Sequence, residues 1–170
     1  MPGKGLLHIY CGDGKGKTTA ALGLAVRAAG RGLKVCVIRL MKYSGSGEIG
    51  PLSELGITVV PTPEKLPFVF RMTEREKEEY RAEVKRMLAR AGAEYDLVVI
   101  DEACSAVSTG MAELDSLLEL IDGRPEGQEM VLTGRDPAEE LCRRADYITE
   151  MKKIKHPYDS GTGSRIGIEM

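Results

Sequence analysis

The apolar positions of the chain fall into two patterns. One is a set of short apolar runs, at Leu6–Tyr10, Lys34–Leu40, Ile57–Val60, Leu97–Ile100 and Met130–Leu132, and each predicts a strand. The Lys34–Leu40 run is nearly continuous, as in a strand covered on both faces. The other pattern is a recurrence at helical spacing. Ala21, Leu22, Leu24, Ala25, Ala28 and Ala29 give the segment from Lys17 to Gly30 a small-residue surface that can pack closely on a sheet. Gly30 and Gly32 end that helix. Tyr80, Val84, Met87, Leu88 and Ala91 mark a second helix, closed by Gly92. Thr73 stands as its N-cap, with Glu76 three residues on as the partner of a capping box. Leu114, Leu117, Leu118 and Ile121 lie on one face of a helix predicted over Ala112–Ile121. Asp136, Pro137 and Glu139 predict cap, first turn and capping-box partner of the next. Leu52–Gly56 reads as a short helix, Tyr147–Lys153 as an edge strand, and Ile166–Ile168 as a last short strand. The segments 41–51 and 64–72 lack either period; the first holds three glycines and two serines among its polar positions.

Strands that alternate with helices imply a parallel sheet covered on both faces. The class is α/β: a P-loop (RecA-like) nucleotide-binding fold with a mostly parallel sheet flanked by helices. Residues 1–170 are long enough for one such domain with a proper core. Ligands in these sheets bind beyond the C-terminal ends of the strands. Four polar segments meet that condition: 11–19, 41–48, 101–105 and 133–136.

The first carries the strongest motif. Gly12-Asp13-Gly14-Lys15-Gly16-Lys17-Thr18-Thr19 follows a strand and opens a helix. Glycines let successive N–H groups curl around an anion, and the new helix adds its free N–H groups and positive dipole end. Lys17 brings a full charge to the outer phosphates, and the Thr18 hydroxyl suits Mg²⁺. The usual spacing puts a first Gly where Cys11 stands, so either the loop is one residue tighter or the strand ends one residue later. Asp101-Glu102, at the end of an apolar strand, is the second half of such a site. Side chains alternate along a strand, so one acid faces the phosphates and the metal while the other supports it or orients water. That pair alone does not separate hydrolysis from group transfer. Arg135, after Thr133-Gly134, is placed either to contact phosphate or ribose, or to pair with Asp136 or Glu139. His8 within strand one reads as a sheet-packing residue.

Charge and cysteine usage narrow the classes. With 24 basic and 26 acidic residues the net charge is −2, and the basic residues alternate with acids rather than forming a stripe. No nucleic-acid surface is expected. No apolar run reaches about 18 residues, so no membrane span is expected. Cys11, Cys36, Cys104 and Cys142 are scattered and read as reduced thiols. With no signal peptide ahead of strand one, they point to the cytoplasm.

Taken together, these segments resemble the ATP:corrinoid adenosyltransferases of bacterial cobalamin biosynthesis, over nearly the whole chain. The resemblance lies in the Gly12–Ala21 loop with its non-Gly residue at Cys11 and the Met41-Lys42 loop ending in Gly47-Glu48. It extends to Val98–Glu102, Leu132–Arg135, and the tail from Lys155-His156-Pro157-Tyr158-Asp159-Ser160-Gly161 through Gly167-Ile168-Glu169. It implies transfer of the 5′-deoxyadenosyl group of ATP to the cobalt of a reduced corrinoid, with release of triphosphate. The competing reading from the residues is a P-loop ATPase or kinase-like enzyme acting on the γ-phosphate. The resemblance implies ATP with Mg²⁺ (or Mn²⁺), catalytic roles for Lys17, Thr18 and Glu102, and metal contacts from Thr18, Asp101 and Glu102. Substrate contacts are implied for Gly12 to Thr19, Lys42, Glu48, Arg135, Lys155 and His156. Phe68 and Phe70 match an aromatic pair that packs beneath the cobalt; the residues themselves equally allow core anchors. A homodimer and a flavoprotein or flavodoxin reductant are implied as partners. Many members carry a few helical turns ahead of strand one, which here begins near residue 6. The resemblance therefore implies a more open site or one covered by a partner subunit.

Overall fold

A computed structural model describes residues 3–168. Its frame is a sheet of β1 (Leu7–Cys11), β2 (Val35–Arg39), β3 (Thr58–Val59), β4 (Leu97–Asp101), β5 (Glu129–Thr133) and β6 (Tyr147–Glu150). The order is β3-β2-β4-β5-β1-β6, and each neighbouring pair is parallel. Parallel neighbours require a crossover, and the helices supply it: α1 (Lys17–Ala29), α2 (Ile49–Glu54), α3 (Glu74–Leu88), α4 (Ala103–Ser108), α5 (Leu114–Asp122) and α6 (Glu139–Arg144).

Alternation along the strands splits the core in two. Val35, Val37, Leu97, Val99 and Val131 pack with Ala21, Ala25 and Ala28 of α1 and with Leu52 of α2. Cys36, Ile38, Val98, Ile100, Met130 and Leu132 face the other way, onto Tyr80, Val84 and Met87 of α3, Leu117 and Ile121 of α5, and Leu141 of α6. The alanines of α1 explain its close approach. A single small side chain per turn lets the phosphate-loop helix lie directly on the central strands.

The expected elements are present with shifted bounds. The Thr73–Glu76 capping box forms, with the Thr73 backbone N–H donating to Glu76 at 2.7 Å. The α3 helix stops at Leu88 rather than Gly92. The helix expected over Ala112–Ile121 begins at Leu114, and α4 precedes it unforeseen, because its Ala-Cys-Ser-Ala-Val-Ser sequence has no amphipathic stripe. Asp136 does not cap α6. It sits at φ 50°, in the left-handed region, and the helix starts after Ala138 with no side-chain cap. The cause is the sharp exit from β5, where Gly134 adopts φ 139° against the start of α4. The edge strand ends at Glu150, residues 157–160 form a 3₁₀ turn, and 166–168 are a turn rather than a strand. Glu169 of the tail lies outside the described residues.

Candidate functional site

The phosphate loop resolves the question raised by Cys11. The strand runs one residue further than expected: Cys11 is its last residue, paired opposite Glu150 and 7% exposed. The turn proper is Gly12 to Gly16, with φ of 101° and 114° at its two ends, where only glycine is unstrained. The outer rim of this turn is fixed by the segment that follows β6. Met151 donates its N–H to the Cys11 carbonyl at 2.8 Å and accepts from the Gly14 N–H at 2.7 Å. The Lys153 N–H donates to Asp13 at 2.9 Å and is the main cause that holds the Asp13 carboxyl below its ordinary range. A Cβ on Gly12 or Gly14 would stand 2.5 or 2.6 Å from the Met151 carbonyl oxygen. Lys17 folds back over the loop, donating to the Gly14 carbonyl at 2.8 Å.

The acid pair lies one strand away across β5. Asp101 is fully buried. Its Oδ1 accepts from the Thr18 hydroxyl at 2.8 Å and the Thr133 hydroxyl at 2.6 Å. Its Oδ2 has no hydrogen-bond partner, and Lys42 Nζ stands 3.3 Å away as its ion-pair partner. A carboxylate beside a threonine hydroxyl, with one oxygen free of hydrogen bonds, is the hard oxygen set that suits Mg²⁺. Glu102 adopts φ 60°, gives its N–H to Thr133 Oγ1 at 2.9 Å, and turns away from Asp101 into the cleft. Lys42 is aimed by a similar device. Met41 sits at φ 55° and its N–H donates to the Tyr80 hydroxyl at 2.6 Å, which turns the chain sharply after β2.

A cleft of about 740 Å³ opens over these groups. Gly14, Lys15, Gly16, Lys17, Thr18, Thr19, Lys42, Glu48 and Glu102 line it. Leu22, Val26, Pro51, Leu52 and Leu55 supply an apolar wall, and Gly167 and Ile168 reach it from the tail. Gly12 and Asp13 lie on the far rim, against Met151 and Lys153. Arg135 is exposed, and its N–H donates to Ser105 at 3.0 Å. Lys155 is exposed, and His156 Nδ1 accepts the Tyr158 N–H at 3.1 Å. None of these last three lines the cleft. Phe68 and Phe70 are 68% and 79% exposed, so they are not core anchors. Their rings stack at 5.5 Å, with the Arg71 guanidinium 5.5 Å from the Phe70 ring. Cys104, which follows the acid pair, is buried, and burial pushes its thiol up to about 12. His8 donates to or accepts from Glu129 at 2.6 Å within the sheet layer.

Sequence reasoning missed two residues here. Thr133 was visible only as the polar end of an apolar strand, as was Arg39 at the end of β2.

The family model described as ATP:corrinoid adenosyltransferase BtuR/CobO/CobP matches residues 3–170. The chain belongs to that family. Curated corrinoid adenosyltransferases of Escherichia coli K12 and Pseudomonas aeruginosa are each 33% identical to this adenosyltransferase-family chain. Both alignments cover 98% of it, and 86% and 84% of those relatives. The corrinoid adenosyltransferase CobA of Salmonella typhimurium is 32% identical over the same share of the chain and 86% of its own length. Among solved structures, the flagellar accessory protein FlaH of Methanocaldococcus jannaschii superposes with a TM-score of 0.61 at 14% identity, covering 87% of this chain and 71% of its own. A KaiC-like protein of Pyrococcus horikoshii gives 0.51 at 14% identity, covering 88% and 73%. These two likenesses bear on the fold alone.

Proposed function

We propose that this chain transfers the 5′-deoxyadenosyl group of ATP to the cobalt of a reduced corrinoid and releases triphosphate. The observation that carries the reading is the family match over residues 3–170, set on a cleft where Lys17, Thr18 and Asp101 converge. The electron pair of Co(I) forms the cobalt–carbon bond to C5′. The C5′–O bond breaks, its pair leaves with the triphosphate, and cobalt ends formally as Co(III). Co(I) is itself the nucleophile, so no general base is needed. The protein must place C5′ and compensate the leaving charge. Lys17 and the N–H groups of Gly16 to Thr19 take the second task. Thr18 and Asp101, with Glu102 beside them, would hold Mg²⁺ (or Mn²⁺), which when bound spreads the negative charge of the triphosphate. Phe68 and Phe70 offer a flat apolar surface to the lower face of the corrinoid. Arg135, Lys155 and His156 do not line the cleft, and the reading keeps them as contacts to the substrates. The reading also takes residues 1–170 as one catalytic unit, working in the cytoplasm as a homodimer with a flavoprotein or flavodoxin reductant.

The test is to mix the protein with Mg-ATP and chemically reduced corrinoid. The expected products are the cobalt–carbon adduct, followed by its visible absorption, and triphosphate in equal amount. Formation of ADP and phosphate alone, at a rate indifferent to corrinoid, sinks the reading and favours a γ-phosphate enzyme.

A further inference from the structure

Arg39 ends β2, an otherwise apolar strand, and is 1% exposed. A guanidinium carries five N–H donors, and burying one is costly unless they are paired. Nη1 donates to Glu48 Oε1 and Nη2 to Thr62 Oγ1, each at 3.3 Å, while Nε has no partner. An apolar side chain of the same length would fill the space at less cost, so packing does not explain the charge.

The surroundings do. Arg39 lies opposite Asp101 in the β2–β4 register, and alternation puts both on the α1 face of the sheet. Lys42 pairs with Asp101 at 3.3 Å, and Glu48 pairs with Arg39. Two cations and two carboxylates therefore balance at this corner. Of these two carboxylates, Glu48 is the one that lines the cleft, with its side chain 27% exposed. In a cleft that takes a polyphosphate, an uncompensated acid repels the ligand. Arg39 reaches Glu48 from behind and is itself shut off from the cleft.

We propose that Arg39 is a positioning residue for nucleotide binding. It is the buried counter-charge that lets Glu48 stand in the wall of a polyphosphate cleft. Through Thr62 it also ties the 41–48 loop to the segment after β3, beside a second tie from the Ser44 N–H to the Pro63 carbonyl at 3.1 Å. The inference rests on the nucleotide reading of the cleft given above.

The test compares the full chain with Arg39→Met, and with Arg39→Met combined with Glu48→Gln. Calorimetry reads affinity for Mg-ATP and for adenosine, and steady-state kinetics with reduced corrinoid reads KM against kcat. Arg39→Met is expected to weaken Mg-ATP about tenfold, in KM more than in kcat, and to leave adenosine affinity alone, as one uncompensated charge near the phosphates would do. Adding Glu48→Gln is expected to restore most of the lost affinity. A merely structural arginine would show no such recovery, so a double variant as weak as Arg39→Met overturns the proposal. So does a folded Arg39→Met that binds Mg-ATP like the parent. If Arg39→Met does not fold, Thr62→Val, which removes one anchor and no charge, decides: a two- to threefold weakening of Mg-ATP supports the tie, and no change overturns it. A parent protein that fails to bind Mg-ATP at all removes the nucleotide reading and this inference with it. A parent that binds while the variants do not differ removes the inference alone.

Discussion

Asp101 and Phe70 stand at opposite extremes of one candidate site. The carboxylate is fully buried and takes two hydroxyl donors on one oxygen. The ring is 79% exposed and touches another exposed ring and a guanidinium. The phosphate side is thus built before any ligand arrives: β1, β4, β5 and the segment after β6 each contribute a bond to it. The aromatic side is a short 3₁₀ turn, Val69–Arg71, with no buried residue of its own. On the adenosyltransferase reading proposed above, the difference follows the chemistry of the two substrates. A compact, highly charged anion is bound well only by groups already oriented, since reorienting dipoles costs what binding gains. A broad apolar disc asks only for area, which exposed rings provide.

Three variants test that contrast, in descending order of expected effect on the phosphate side. Lys17→Ala should weaken Mg-ATP roughly 10- to 100-fold, the worth of a charge-assisted contact. Its thermal midpoint should stay near that of the parent, because among the described residues the Lys17 ammonium holds only the Gly14 carbonyl. A large drop in midpoint would show the loop to be less self-supporting than its ties to Met151 and Lys153 suggest. Asp101→Asn should cost about 1–3 kcal/mol in chemical denaturation, because Lys42 loses its partner and two hydroxyls face an amide. It should also raise the Mg²⁺ concentration needed for nucleotide binding. Stability equal to the parent would break the claim that this side is preorganised. The double change Phe68→Ala with Phe70→Ala should alter neither Mg-ATP affinity nor stability by more than about 0.5 kcal/mol, as expected of exposed positions. It should slow adenosylation that starts from Co(II) corrinoid. Unchanged activity in that assay would remove the ring pair from the site.

The sheet was legible in the sequence because its four inner strands are largely buried and stand out as apolar runs between glycines. The phosphate loop was legible because its glycines are required by backbone geometry: Gly12 and Gly16 lie at positive φ, and Met151 leaves no room for a side chain at Gly12 or Gly14. What stayed hidden was tertiary. Nothing local says that Thr133 bonds Asp101 from the neighbouring strand, or that Arg39 turns inward to a glutamate nine residues on. Asp136 misled for a related reason. Its capping sequence is good, but the close approach of Gly134 to Ser105 dictates the path of the chain out of β5 and overrides it. The left-handed residues Met41 and Glu102 are likewise set by their contacts with Tyr80 and Thr133, not by their own preference.

The place of β1 has a consequence for how the molecule is made. Among the described residues it is the earliest strand in the chain, yet it pairs only with β5 and β6, more than a hundred residues later. Contacts that distant form late, since the loop between them must first be closed. On a growing chain the Gly12–Gly16 turn lacks both neighbouring strands and its Met151 tie until synthesis has passed residue 151. The capacity to hold a nucleotide therefore arrives in the same step that completes the sheet.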